Sequence, residues 1–254
     1  MRKIRWCDAA LLAFAAVTVI GLAVVARPPG GESSAGPRPT MTAQRPSTDP
    51  HPSPSALFIG DSYTQGSESE ELTYACMAAA RVRWHCTVAA FPGTGYISGG
   101  PANRFDFEYF GESDSFVERI QKLGLIYQPD IVVLDGGRND RFPPAADVFT
   151  AMLFTIGEAK RIWPEAEIVF IRPRFLADPR GDVGFDDDFM RRLESDPAAA
   201  GVRFVDPIAE APFAGGDTSA LLGADGVHPN LTGDRQIGAA LAAALAASGA
   251  EGAR

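Results

Sequence analysis

An α/β domain, with a parallel sheet covered by helices on both faces, is the fold this chain predicts. Three observations point to it. From Ala56 onward, short strand-like apolar runs rich in β-branched residues alternate with stretches of helical period. The composition, 46% hydrophobic and 22% charged over 254 residues, is that of a globular protein with room for one full domain and further segments. Three polar or glycine-rich motifs, at Ser62, Gly93 and Asn139, each follow directly on one of the apolar runs. A parallel sheet gathers its functional groups beyond the C-terminal ends of its strands, so one shared site is expected there.

Taken in chain order, the first element is a targeting segment. Arg2, Lys3 and Arg5 precede an apolar run from Ala9 to Ala26, broken only by Thr18 and Gly21. The run just reaches a minimal membrane span, and the positive charge ahead of it favours a cytoplasmic N-terminus and an exported body. Residues 1–26 are therefore expected to act as a signal anchor, or as a signal peptide cleaved after Val24-Val25-Ala26. The body would then be extracytoplasmic, held at the membrane or secreted. Residues 27–55 are rich in Pro, Ser, Thr and Gly without hydrophobic period and read as a disordered tether. The folded body is expected over 56–248, with a short tail at 249–254.

Within the body, strands are expected at Ala56–Gly60, Thr87–Phe91, Ile131–Leu134, Glu167–Ile171 and Val202–Val205. Helices are expected at Leu72–Arg83, Ser115–Leu125, Asp147–Trp163, Asp187–Leu193 and Thr232–Ala247. Cys76 and Cys86 lie ten positions apart across the first predicted helix-to-strand connection. In an exported protein they can close that loop as a disulfide; two free buried thiols are the alternative. No cysteine–histidine grouping has the spacing of a zinc site. The net charge of -9 and pI of about 4.9 do not attract phosphate backbones, which argues against nucleic acid as a partner.

The candidate chemistry starts at Leu57-Phe58-Ile59-Gly60-Asp61-Ser62, an apolar strand that ends in a tight turn presenting a serine. A serine becomes a nucleophile only beside a base and an oxyanion-stabilising set; otherwise it is a helix cap. His228 is the natural base, because His51 lies in the tether and His85 begins a strand. Asp225, three residues earlier, can accept the imidazole Nδ1–H and leave Nε2 free to take the serine proton. Asn139 can donate through its side-chain amide, Gly93 through an unobstructed backbone N–H, and Ser62 through its own N–H. Each has a bland alternative taken singly: a turn glycine, a loop cap, a surface turn.

In order along the chain stand Gly60-Asp61-Ser62, the glycine turn Phe91-Pro92-Gly93-Thr94-Gly95, Gly137-Arg138-Asn139-Asp140 and Asp225-Gly226-Val227-His228-Pro229. This set resembles the SGNH hydrolases, also called GDSL-type esterases and lipases, over about Ala56 to Ala247. The resemblance implies a flavodoxin-like three-layer α/β/α sandwich on a five-stranded parallel sheet. It implies Ser62, Gly93, Asn139 and His228 as signature residues, with Asp225 orienting His228. The second block departs from the family pattern, since Val88-Ala89-Ala90 stand where an Asn is often found, so Gly95 is the alternative to Gly93. The implied activity is hydrolysis of acyl esters, short-chain or carbohydrate-borne, through an acyl-enzyme. The alternative is acyl transfer to an exported or envelope glycan by the same residues. Neither uses a metal or an organic cofactor.

Three further features stand out. The alternating segment Asn103–Phe110 reads as a substrate-lining flap, or as a short edge strand or loop pinned to the core. Arg138, Arg172 and Arg174 fall near strand ends, where they can bind an anionic substrate group or pair with nearby Asp residues. Asp182, Asp186, Asp187 and Asp188 match no EF-hand spacing and read as a solvated, helix-initiating run.

Overall fold

Five parallel strands form one sheet: β1 (Ser55–Gly60), β2 (His85–Ala90), β5 (Ile131–Asp135), β6 (Glu167–Ile171) and β7 (Arg203–Val205). A separate two-stranded hairpin, β3 (Asp106–Phe107) and β4 (Gly111–Glu112), interrupts the series. The computed structural model describes residues 53–251, apart from 109, 110, 210, 211 and 214. The expected membrane segment and nearly all of the expected tether lie outside the described residues. Among the described residues no helix is long and apolar enough to cross a membrane.

The strand order is β2-β1-β5-β6-β7. With the hairpin set aside this is the doubly wound order 2-1-3-4-5, whose direction reverses between β1 and β5. Both faces are covered. Leu57 and Ile59 of β1, Val132 and Leu134 of β5, and Ile168 and Phe170 of β6 pack on one face. There they meet Ile120 of α3 (Phe116–Gly124), Met152 and Ile156 of α4 (Ala145–Ile162) and Phe189 of α5 (Asp187–Ser195). The alternate residues Ala56, Phe58, Ile131, Val133, Val169 and Ile171 pack on the other face. They meet Tyr74 and Ala78 of α2 (Tyr74–Arg81), and Ile237 and Leu241 of α6 (Leu231–Glu251). The period of two sends successive side chains into two cores, and each fully buried Val, Ile or Phe contributes about 1.5–3 kcal/mol.

The element boundaries differ from expectation by a few residues, for local reasons. β1 begins at Ser55, inside the expected tether, because Asp130 accepts from the Ser55 N–H at 2.7 Å and from its Oγ at 2.8 Å. α2 begins at Tyr74 and not at Leu72: Thr73 caps it by accepting the Cys76 N–H at 3.2 Å, and Glu70–Leu72 form a separate turn. α6 reaches Glu251, into the expected tail. The Cys76–Cys86 pair is a disulfide, with Cα atoms 5.3 Å apart. It joins the first turn of α2 to β2, an edge strand, while Glu70 covers that edge by accepting the Val88 N–H at 2.9 Å.

Candidate active site

Ser62 opens α1 (Ser62–Gln65), a single turn directly after β1. Asp61 precedes it as N-cap and accepts the Tyr63 N–H at 2.9 Å, and the Ser62 N–H has no acceptor among the described residues. Asp61 is fully buried, and it shares one guanidinium with Asp135. Arg138 reaches Asp61 at 3.3 Å and Asp135 at 3.2 Å, and its Nε donates to the Arg174 carbonyl at 2.8 Å. Thr64 Oγ1 donates to Asp135 at 2.8 Å, and the Tyr74 hydroxyl donates to the same oxygen. Two carboxylates against one cation leave a surplus negative charge in a dry place. Burial therefore pushes the Asp61 pKa up to about 6, against the pull of Arg138.

His228 sits in the loop ahead of α6. Its Nε2 lies 2.8 Å from Ser62 Oγ, and its Nδ1 lies 2.6 Å from Asp225 Oδ2. Asp225 uses its other oxygen on its own loop, accepting the Val227 N–H at 2.9 Å and the His228 N–H at 3.0 Å. The hydrogen bond from His228, then the two amides, pull the Asp225 pKa down to about 2. The loop is held from below by Tyr63, whose hydroxyl donates to the Val227 carbonyl at 2.5 Å. It is held behind by Asn230, which accepts the Thr232 and Gly233 N–H groups at 2.9 and 3.0 Å and so caps α6. The side chains of His228 and Asp225 remain 41% and 52% exposed, so the pair works in a solvated setting.

Asn139 follows β5 in the short turn Arg138–Arg141. One of its amide protons goes to the Thr94 carbonyl at 2.9 Å, which fixes the amide plane; the second has no acceptor among the described residues. Gly93 has φ +72°, is exposed, and its N–H has no acceptor among the described residues. Gly95 is buried, its N–H donates to the Ser98 carbonyl at 3.0 Å, and a Cβ there would lie 2.3 Å from the Asp140 carboxylate. Of the two glycines, only Gly93 has an N–H free to face a ligand.

Sequence reasoning missed two residues that assemble these loops. Asp140 accepts from the Tyr96, Ile97 and Ser98 N–H groups at 2.6, 3.2 and 2.9 Å, tying the glycine turn to the asparagine turn. Burial raises the Asp140 pKa, and the three amides oppose it. Arg119 of α3 is buried and spans the ends of β1 and β2. It donates to the Gly60 carbonyl at 3.1 Å, the Ala89 carbonyl at 3.3 Å and Thr94 Oγ1 at 2.9 Å. Only Asp140 had a signal, as the neighbour of Asn139. The three arginines that the sequence singled out are engaged: Arg138 as described, Arg172 with Asp187 at 2.8 Å, and Arg174 with Asp206 at 2.7 Å.

The described part of the segment 103–110, residues 103–108, is pinned and contains the short strand β3. The Ser113 N–H donates to the Phe105 carbonyl at 2.7 Å, and the Phe105 N–H donates to Ser113 Oγ at 3.0 Å. Phe105 also lies on Gly93, its ring 3.0 Å from where a Cβ would stand.

The family model for GDSL-like lipases and acylhydrolases matches residues 58–236, from β1 into α6. The chain belongs to this family. The GDSL lipase Rv0518 of Mycobacterium tuberculosis is 32% identical to it over 194 residues, which cover 70% of this chain and 76% of that protein. Among solved structures, the chain is similar to a carbohydrate esterase family 2 enzyme of Corynascus thermopiles (Myceliophthora fergusii) with a TM-score of 0.55. That match has 24% identity and covers 79% of this chain and 68% of the other. The esterase EstA of Pseudoalteromonas matches with a TM-score of 0.56 and 17% identity, covering 76% of this chain and 97% of its own. These two share the fold. As a member of the GDSL family, the protein is a serine hydrolase acting on esters.

Proposed function

We propose that the protein is an extracytoplasmic esterase in which Ser62 is the nucleophile, His228 the general base and then acid, and Asp225 the group that orients His228. The observation that carries the reading is the continuous link from Asp225 through His228 to Ser62, at 2.6 and 2.8 Å, at the switch point of the sheet. Ser62 Oγ attacks the ester carbonyl carbon as its proton passes to His228 Nε2. The carbonyl oxygen becomes an oxyanion, held by the N–H groups of Ser62 and Gly93 and the free amide proton of Asn139. Collapse expels the alcohol, which takes the proton from His228. Water, deprotonated by the same imidazole, then releases the acid and restores Ser62.

The substrates in this reading are small or carbohydrate-borne acyl esters, reached on an open, solvated face. The Cys76–Cys86 disulfide supports an oxidising compartment. It agrees with an exported body tethered by, or released from, residues 1–26. Hydrolysis of p-nitrophenyl acetate through octanoate is expected from the wild type and is lost in Ser62→Ala. Labelling by a fluorophosphonate that survives Ser62→Ala would remove Ser62 from the role. With a sugar acceptor in excess, free acid is the expected main product; a dominant transfer ester would make the protein an acyltransferase.

A further inference from the structure

Arg141 closes the turn that carries Asn139, and it differs from the other arginines around the site. Arg138, Arg172 and Arg174 are neutralised by carboxylates. Arg141 is exposed and takes part in no ion pair among the described residues. Its guanidinium carbon lies 4.7 Å from the centre of the Phe142 ring and 5.8 Å from that of Phe175. Phe175 packs edge-on against Tyr63 at 5.8 Å, and the Tyr63 ring lies 5.6 Å from the imidazole of His228. Arg141 thus stands two residues from Asn139 in the same turn, and two intervening rings, Phe175 and Tyr63, connect it to the imidazole of His228.

Phe142 is 80% exposed and Val227, next to His228, is 40% exposed. Phe142 adjoins Arg141 and Val227 adjoins His228 in the chain, so each sets exposed apolar surface next to one of these two groups. A guanidinium held by two aromatic rings loses less freedom on pairing than a loose one, and it keeps its planar fork of donors for an oxyanion group. In a chain of net charge -9, an unpaired cation at this place is a local reversal of sign that an anionic group would seek.

We propose that Arg141 is a specificity-determining residue that binds a carboxylate or phosphate carried by the ester, so that the preferred substrates are anionic esters. This rests on the esterase reading of Ser62. The test uses the full-length protein and two matched pairs of esters. Mono-p-nitrophenyl adipate against p-nitrophenyl hexanoate places the charge on the acyl side. 4-Acetoxybenzoate against its methyl ester places it on the leaving group.

For at least one pair, Arg141→Gln is expected to lower the anionic-to-neutral ratio of kcat/KM by about tenfold, chiefly through KM, and Arg141→Glu to lower it further. A charge-assisted hydrogen bond is worth about that much. Ratios that stay within about twofold of wild type in both pairs, for both variants, overturn the assignment while leaving the esterase standing. Absence of Ser62-dependent turnover of any of the four esters overturns the esterase reading, and this proposal with it.

Discussion

Replacing Asp61 by Asn tests the buried charge arrangement beside Ser62. Asp61 and Asp135 face the single guanidinium of Arg138, all three buried, and burial holds the Asp61 pKa at about 6 against an ordinary 3.8. Below pH 4 the folded and unfolded chains both carry the proton, and Asp61 costs the fold nothing. Between pH 4 and 6 the unfolded chain gives up its proton while the folded one keeps it, so stability falls as pH rises. Above about pH 6 both are ionised and the loss is complete. About two pKa units correspond to roughly 3 kcal/mol.

An asparagine does not titrate, and it keeps the oxygen that caps Tyr63. Asp140 and Asp234 are raised in the same direction, so only the gap between wild type and variant isolates Asp61. Urea unfolding at pH 4, 5.5 and 7.5 measures that gap. It is expected to move by about 3 kcal/mol in favour of Asp61→Asn on going from pH 4 to 7.5. A gap that moves by less than about 1 kcal/mol would refute the argument that one arginine cannot neutralise both acids.

Asn139→Ala removes one of the proposed oxyanion donors and is expected to lower kcat by about a hundredfold to a thousandfold, with little change in melting temperature; an unchanged kcat would take Asn139 out of the site. Asp225→Asn is expected to cost less than the ten-thousandfold or so known for a buried triad carboxylate, on the order of a hundredfold, because this one is half-exposed and water shares its work. Steady-state kinetics on p-nitrophenyl butyrate decide it, and a loss as large as for a buried acid would contradict the solvated picture. Cys76→Ser with Cys86→Ser opens a ten-residue loop and is expected to reduce stability by about 3 kcal/mol. Equal unfolding midpoints for the oxidised wild type and the double variant would count against that cross-link.

The sheet was legible because each strand is a compact apolar run and each helix a separate periodic one. Ile131–Asp135 and Glu167–Ile171 stand almost where the pattern puts them. The blocks around Ser62, Asn139 and His228 were legible as motifs because each is local: a few adjacent residues carry the turn and the polar side chain together. Arg119 was not, because the partners that tie it to the strand ends lie 25 to 59 positions away and a single arginine in an amphipathic helix reads as surface. The hairpin β3–β4 was only half legible, since strands of two residues are too short to show a period. Arg138 stood in view, but its partnership with Asp61 spans 77 positions, and only the folded arrangement decides between ligand and structural ion pair.

The loop from Asp225 to His228 has the character of a prefabricated part. One carboxylate shapes the backbone with its first oxygen and holds the ring with its second, so imidazole and carboxylate arrive already paired within four residues. In the proposed triad, no strand elsewhere has to deliver a third member. For anyone building an enzyme, such a unit lowers the design problem from three converging segments to two: a rigid serine turn and one short loop to set against it.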